Sequence, residues 1–465
     1  MGKFHLNRNF LKQLFALGLP IVGSNMAMMI IGITDTVMMG WYSIPDLAAL
    51  ILGTTFFFNF IIFGSGFAFA TVPLVASASA KSDSTAIRRV TRMALWLSIG
   101  FGVLMTPVFL FVDRILIALG QDPDISVLAL NYLAISGFAL VPMLWATVFK
   151  SYLSGMEFTK IALWVTLVAA VSNAVLNYIF IFGKFGMPEM GVRGAAVSSL
   201  LSHLFQAIAF TVYALRKLPE HQILVRFYKP DWGALRQVAK MGLPIGISTL
   251  AEVGLFSASS FLMGWIGVIE LAAHGIALQV ASLTFMAHLG LASAATILAG
   301  KAYGKEDLGE LHSASKAAAA MILLWAVFTS MIFVVFGAPI ISLFLDVNEP
   351  ARDQIISYGV VLLIVAALFQ FVDGIQVLAI SLLRGIHDTA VPMYITIISY
   401  WAIGLPVAYV LGFVVNWQGV GVWLGLTSAL ACAAVAMALR YRSLLARLEG
   451  KFAPQQDDGA RSAVS

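Results

Sequence analysis

The chain has one cysteine, Cys432, in 465 residues. No intramolecular disulfide can form, and the residue reads as a small packed hydrophobe in the last apolar run. Charge is also scarce. Asp, Glu, Lys and Arg make up 11% of the chain, where a soluble protein carries roughly 25%. No GxxxxGK[ST] occurs, which excludes ATP hydrolysis through a P-loop. HExxH, paired prenyl-transferase aspartates, an arginine ladder and a TVGYG filter are missing too. His203, His274 and His288 stand alone, whereas a metal site wants paired ligands on one face. They read as structural or cavity-lining residues. Ser24 or Ser65 with His203 is the only hint of a nucleophile, and Gly-Ser pairs are too common in membrane helices to define a protease. The sequence therefore points away from an enzyme.

What remains is apolar. Hydrophobic residues make up 60% of the chain, and mean hydropathy is +0.92. Apolar runs fall at about 13–41, 47–76, 91–112, 127–149, 160–182, 191–215, 237–265, 271–299, 314–338, 355–383, 390–414 and 417–440. A run of roughly 20 such residues spans a bilayer as a helix, and the alternation of a β-barrel is absent. The first run follows a short basic segment, Met1 to Lys12. It is too long for a signal-peptide core and has no small-residue cleavage site, so it reads as a first span.

The chain also contains itself twice. Gly18-Leu19-Pro20-Ile21 returns as Gly242-Leu243-Pro244-Ile245, and Met39-Gly40-Trp41 returns as Met263-Gly264-Trp265 at the same offset. Lys81 and Asp83 return as Lys305 and Asp307, again without a gap. Two homologous halves with an even number of spans are related by an axis along the membrane normal, and such chains commonly rock one half against the other around a central site. The expected fold is an all-α polytopic membrane protein: about twelve transmembrane helices in two pseudo-symmetric six-helix lobes around a central cavity. The lobes are placed at 1–215 and 235–447, joined by a cytoplasmic linker at 216–234 and followed by a disordered cytoplasmic tail at 448–465.

Placing the N-terminus in the cytoplasm sorts 24 of the 28 Lys and Arg residues to one side, as the positive-inside rule requires. Both termini are then cytoplasmic in a multi-pass protein of a bacterial inner membrane. The net charge of +5 reflects this orientation rather than a nucleic-acid partner.

Few ionisable groups lie deep in the apolar runs. They are Asp35 in the first span, Glu252 in the seventh and Asp373 in the tenth. A carboxylate at membrane depth costs a few kcal/mol and usually faces a bundle interior or a wet cavity. No basic residue is expected at the same depth, although a protonated, hydrogen-bonded acid is the bland alternative. The repeat sharpens the reading. Asp35 aligns with Ser259 and Glu252 with Met28. In the fourth spans, Leu153-Ser154-Gly155 matches Leu383-Arg384-Gly385, which sets Asp373 opposite Met143. A scaffold role tends to be shared by both copies, and these acids are not shared.

Asn173 and Asn177 lie one turn apart on the fifth span and can complete an oxygen set around Asp35, with Ser198 a weaker candidate. Carboxylate and amide oxygens suit a hard cation, and a carboxylate alone can carry a proton. Interhelical hydrogen bonding is the alternative for the asparagines. Gln370 and Gln376 flank Asp373, and Gln279 is within reach of Glu252. These glutamines serve either as support or as packing. Pro20 and Pro244 interrupt helical hydrogen bonding and are hinge candidates. Phe56-Phe57-Phe58 and the cluster Met26, Met28, Met29 read as packing, with a promiscuous apolar wall as the alternative.

Together, Gly18-Leu19-Pro20, Asp35-x-x-Met38-Met39-Gly40, the copy ending in Met263-Gly264-Trp265, Asp373-x-x-Gln376 and Leu383-Arg384-Gly385-x-x-Asp388 resemble the multidrug and toxic compound extrusion (MATE) family, in its NorM-like bacterial branch. The resemblance covers about residues 10–445. It implies two six-helix lobes that exchange amphipathic organic cations for Na⁺ or H⁺ by alternating access. Asp35, Asn173 and Asn177 would form a first-lobe cation site, and Glu252 and Asp373 a second-lobe site. Another branch has an aspartate where Asn177 stands, which leaves the choice of ion open. The expected partners are small-molecule drugs or toxic organic cations and the lipid bilayer. The expected state is a monomer with no cofactor and no metal beyond Na⁺. The alternative is a lipid-linked saccharide flippase, which would need basic residues inside its cavity. On sequence, Arg and Lys are confined to the span ends.

Overall fold

The computed structural model describes residues 8–347 and 349–452. Among the described residues, twelve helices are long and apolar enough to cross a bilayer. In the first half they are α1 (Arg8–Tyr42), α2 (Ile44–Ala80), α3 (Ser84–Leu110), α4 (Pro123–Gly155), α5 (Thr159–Phe182) and α6 (Val192–Lys217). In the second they are α7 (Trp232–Ile266), α8 (Val268–Lys305), α9 (Leu308–Ser342), α10 (Arg352–Gly385), α11 (Ala390–Val414) and α12 (Gln418–Phe452). The described residues contain no strand. The protein is a multi-pass membrane protein built from two six-helix lobes.

Most helices outrun their apolar runs. α12 continues to Phe452, through residues 448–452, because charged residues keep helical hydrogen bonds once the helix leaves the hydrocarbon. Residues 453–465 of the expected tail lie outside the described residues. The segment between α6 and α7 is tied to the first lobe. The Trp96 Nε1 donates to the Phe227 carbonyl at 2.9 Å, and Arg92 donates to the carbonyls of Ile223 and Val225. Asp231 accepts from Ala234 N at 3.0 Å, capping α7, and pairs with Arg89. That guanidinium holds the Asp231 carboxyl below the usual carboxylate range.

The duplication is visible in the caps. Asp83 accepts from Ala86 N at 2.9 Å and starts α3; Asp307 accepts from Glu310 N at 2.9 Å and starts α9. Each carboxylate satisfies an orphan donor at the positive end of a helix.

The lobes exchange the beginnings of their first helices. Leu14, Leu17 and Ile21 of α1 are buried in the core of the second lobe. Their repeat counterparts on α7, Val238, Met241 and Ile245, are buried in a core of the first. Backbones approach closely there: a Cβ added at Gly246 would stand 2.6 Å from the Phe63 carbonyl oxygen. Lys301 pairs with Glu157 at 2.8 Å, Lys81 with Glu306 at 3.8 Å, and His387 Nε2 lies 3.3 Å from the Pro73 carbonyl. These links lie at the end of the molecule that carries Arg8 and Phe452.

The prolines act unequally. α1 and α7 run unbroken through Pro20 and Pro244. α9 bends at Phe336 (φ −112°, ψ 18°), one turn before Pro339. α11 widens into π-helical turns at Ile398–Gly404 and Val410–Val414, on either side of the segment holding Pro406. Such turns form where the normal ladder is interrupted.

Candidate functional site

In the first lobe, α1, α5 and α6 converge on Asp35. The carboxylate is 6% exposed. Its Oδ1 accepts from Asn177 Nδ2 at 2.5 Å and its Oδ2 from Ser199 Oγ at 3.2 Å. The same Asn177 amide reaches Asn173 Oδ1 at 3.2 Å. Asn177 Oδ1 is buried without a hydrogen-bond partner, so the cluster holds a free acceptor beside a carboxylate. Asp35, Asn173 and Asn177 are therefore together, as expected. Ser198 is not with them. Its Oγ bonds the Gly194 carbonyl of its own helix at 2.9 Å. The next residue faces Asp35 instead, because one step along a helix rotates a side chain by about 100°.

In the second lobe, Glu252 of α7 and Asp373 of α10 line one pocket of about 310 Å³. Its walls include Phe256, Ser257, Phe285 and Phe369. Asp373 is 1% exposed and faces His288 Nδ1 of α8 at 3.4 Å. His288, expected to be structural or cavity-lining, faces an acid, and Asp373 has an imidazole neighbour at its own depth, where no basic residue was expected. The glutamines do not form a cage. Gln370 donates to Thr284 Oγ1 at 2.7 Å, and Gln376 is buried with Oε1 unpartnered. On α8 the pocket is lined by Leu278, Ala281, Ser282 and Phe285, not by Gln279. Residues three positions either side of Asp373 diverge across the helix surface rather than converging on it. Tyr400 gives no signal on sequence, being one aromatic among many in an apolar run. Its hydroxyl is buried and unpartnered.

Ser259, the repeat counterpart of Asp35, has different surroundings. It lies 3.4 Å from His274 Nε2, and His274 Nδ1 accepts from Trp423 Nε1 at 3.0 Å. The second lobe thus replaces a carboxylate with a neutral hydrogen-bonded chain. The Phe57 ring packs on Phe109 at 5.3 Å in the first-lobe core.

A third space, of about 260 Å³, lies between the lobes and is walled by residues of α1, α2, α4, α6, α8 and α10. Met28, Phe69 and Met143 supply apolar wall, and Lys150, His203 and Arg384 line it as well. On sequence, Lys150 and Arg384 belong to span ends outside any cavity. They are near helix ends, but α4 and α10 run on to Gly155 and Gly385, and the cavity reaches those last turns.

Two membrane-spanning six-helix lobes around a central space are the architecture of a membrane transporter. Comparison with known proteins agrees. The MatE family pattern matches residues 20–179 and 244–410. The probable multidrug resistance protein NorM of Rhizobium meliloti (strain 1021) is 43% identical over 435 residues, covering 93% of each chain. Its namesake in Agrobacterium fabrum (strain C58) is 40% identical over 438 residues, covering 94% of each. Among solved structures, one of MATE in the bent conformation superposes with a TM-score of 0.87 at 20% identity, covering 96% of this chain and 98% of the other. An outward-facing multidrug resistance MATE family transporter of the MOP superfamily gives 0.85 at 21%, covering 95% and 97%. The chain belongs to the MatE family.

Proposed function

We propose that the protein is a secondary multidrug exporter that releases amphipathic organic cations in exchange for Na⁺ or H⁺. The observation that carries this is Asp35: a membrane-embedded carboxylate held by amide and hydroxyl donors, beside a free amide oxygen, with no basic group paired to it among the described residues. Such a site takes a hard cation or a proton. The pocket of Glu252 and Asp373 gives the second lobe an acidic site with aromatic walls, which suits a lipophilic cation. Ion and drug that favour different conformations of the lobes are coupled by linkage. The names of the NorM relatives support the drug class.

With both termini cytoplasmic, as the basic residues favour, the end where the lobes are linked through Lys81–Glu306, Lys301–Glu157 and the exchanged helix starts, the sealed end, faces the cytoplasm. Export would then proceed by opening that seal while the opposite end closes, in a monomer of the inner membrane. Pro20 and Pro244 are the proposed hinges. A second reading, a lipid-linked saccharide flippase, draws support from Lys150 and Arg384 in the central cavity. Dye efflux from proteoliposomes under separately imposed Na⁺ and H⁺ gradients tests the first reading. One gradient alone drives a cationic dye uphill if it is right. Failure of both gradients with every dye, together with uptake of a lipid-linked saccharide, favours the second.

A further inference from the structure

The cavity between the lobes has a polarity opposite to that of the lobe sites. Among the described residues, no Asp or Glu lines it. Lys150 enters from α4 in the first lobe and Arg384 from α10 in the second. Elsewhere Lys81, Arg89, Lys301, Lys305 and Arg440 are each paired with a carboxylate. Neither cavity cation has a carboxylate partner among the described residues. Glu252 acts on Arg384 only at longer range.

Two further groups on the same wall lack partners. His203 is 9% exposed and Gln206 3%, and His203 Nδ1 and Gln206 Nε2 have no hydrogen-bond partner. An amide Nε2 can only donate, and a buried donor left unmade is costly. The remaining wall is largely apolar, with Phe69, Met143 and Leu289. Two unpaired cations and a free donor, set in an apolar wall, complement an acceptor-rich anion on an apolar body.

We propose that this cavity is an anion subsite, which takes the carboxylate or phosphate of an amphipathic molecule between Lys150 and Arg384, with Gln206 donating to it. Because the two cations belong to different lobes, the bound anion bridges the lobes and holds them together on the sealed side. Arg384 is the repeat counterpart of Ser154, and both line the cavity. The charge is thus an asymmetric addition to a shared scaffold. The subsite stands apart from ion coupling and is tested without any gradient.

The test is equilibrium binding of 1-pyrenebutyrate and the neutral 1-pyrenebutanol to the full chain in maltoside micelles. We expect the acid to bind about tenfold more tightly than the alcohol, a preference of the size of one charge-assisted hydrogen bond. Lys150→Gln with Arg384→Gln removes that preference and leaves alcohol binding unchanged, whereas Lys150→Arg retains it. Should the double variant fail to fold, Gln206→Leu weakens binding of the acid alone. Displacement of the acid by phosphatidylglycerol but not phosphatidylcholine assigns the subsite to a lipid headgroup. Displacement by neither assigns it to a soluble amphipath. Equal affinity of acid and alcohol for the unaltered chain, or an unchanged preference in the variants, overturns the proposal.

Discussion

Ile21 of α1 and Ile245 of α7 are repeat counterparts, and each is buried in the core of the lobe opposite to its own. The two contacts are copies of one another about the pseudo-two-fold axis. Together they make the sealed end a reciprocal clasp rather than a flat interface. Any motion that opens this end must withdraw both helix starts at once.

Gly246→Val forces that clasp. The added side chain meets the Phe63 carbonyl, a backbone atom that cannot turn aside, and overpacking of this kind costs roughly 1–3 kcal/mol. Spin labels at the exposed positions 82 and 309, which leave the Lys81–Glu306 pair intact, in a Cys432→Ala background, should report a longer distance across the seal. An unchanged distance distribution would count against the clasp.

Asp35→Asn should abolish export while leaving expression intact, and its neighbours should separate cleanly. Ser199→Ala removes a hydrogen bond to the Asp35 carboxylate, a contact worth about 1.5–3 kcal/mol to a charged group. We expect the ion concentration that half-saturates dye efflux to rise by roughly tenfold or more. Ser198→Ala, whose hydroxyl bonds only its own helix, should leave it unchanged. Equal effects of the two would refute the geometry at Asp35.

His288 and Asp373 should be coupled. His288→Leu leaves Asp373 without its basic neighbour in a buried site, and Asp373→Asn leaves His288 without its acid. A double-mutant cycle on thermal unfolding should return a coupling energy of about 0.5–3 kcal/mol, as contacting polar residues do. Strict additivity would mean that the two merely pack side by side.

Acid should loosen the seal through His387. Burial pushes this imidazole below its ordinary value, the Pro73 carbonyl opposes that shift, and Lys81 adds to it. The Tyr303 ring packs against it at 5.0 Å. A depressed value in the closed state means that His387 favours closure fully above about pH 6.5. That contribution is lost as pH falls through the lowered value. The distance between labels at the exposed positions 82 and 309, which leave Lys81 in place, should lengthen between pH 7.5 and about 5, and His387→Gln should flatten the response.

Much of this was legible without coordinates. Hydropathy marks every span because each must satisfy its backbone within the bilayer, and a gapless repeat at one offset implies two matching lobes. Asp35, Glu252 and Asp373 stand out because charge is rare at that depth, and Asn173 and Asn177 because four residues make about one turn. The supporting residues are harder to place. Ser198 and Ser199 differ by one rotation step. Gln279, Gln370 and Gln376 follow from proximity along the chain alone, but a long side chain turns to whatever donor or acceptor the neighbouring helix presents.

Composition and period, taken one helix at a time, were enough for the twelve spans, the duplication and the three acids at membrane depth. The packed helices were needed to show that α1 and α7 begin in each other's lobes, that His288 faces Asp373, and that Lys150 and Arg384 face a shared cavity. Those facts depend on how helices cross and how far they rotate about their axes. Both are set by packing between segments far apart in the chain, which leaves no local mark in the order of the residues.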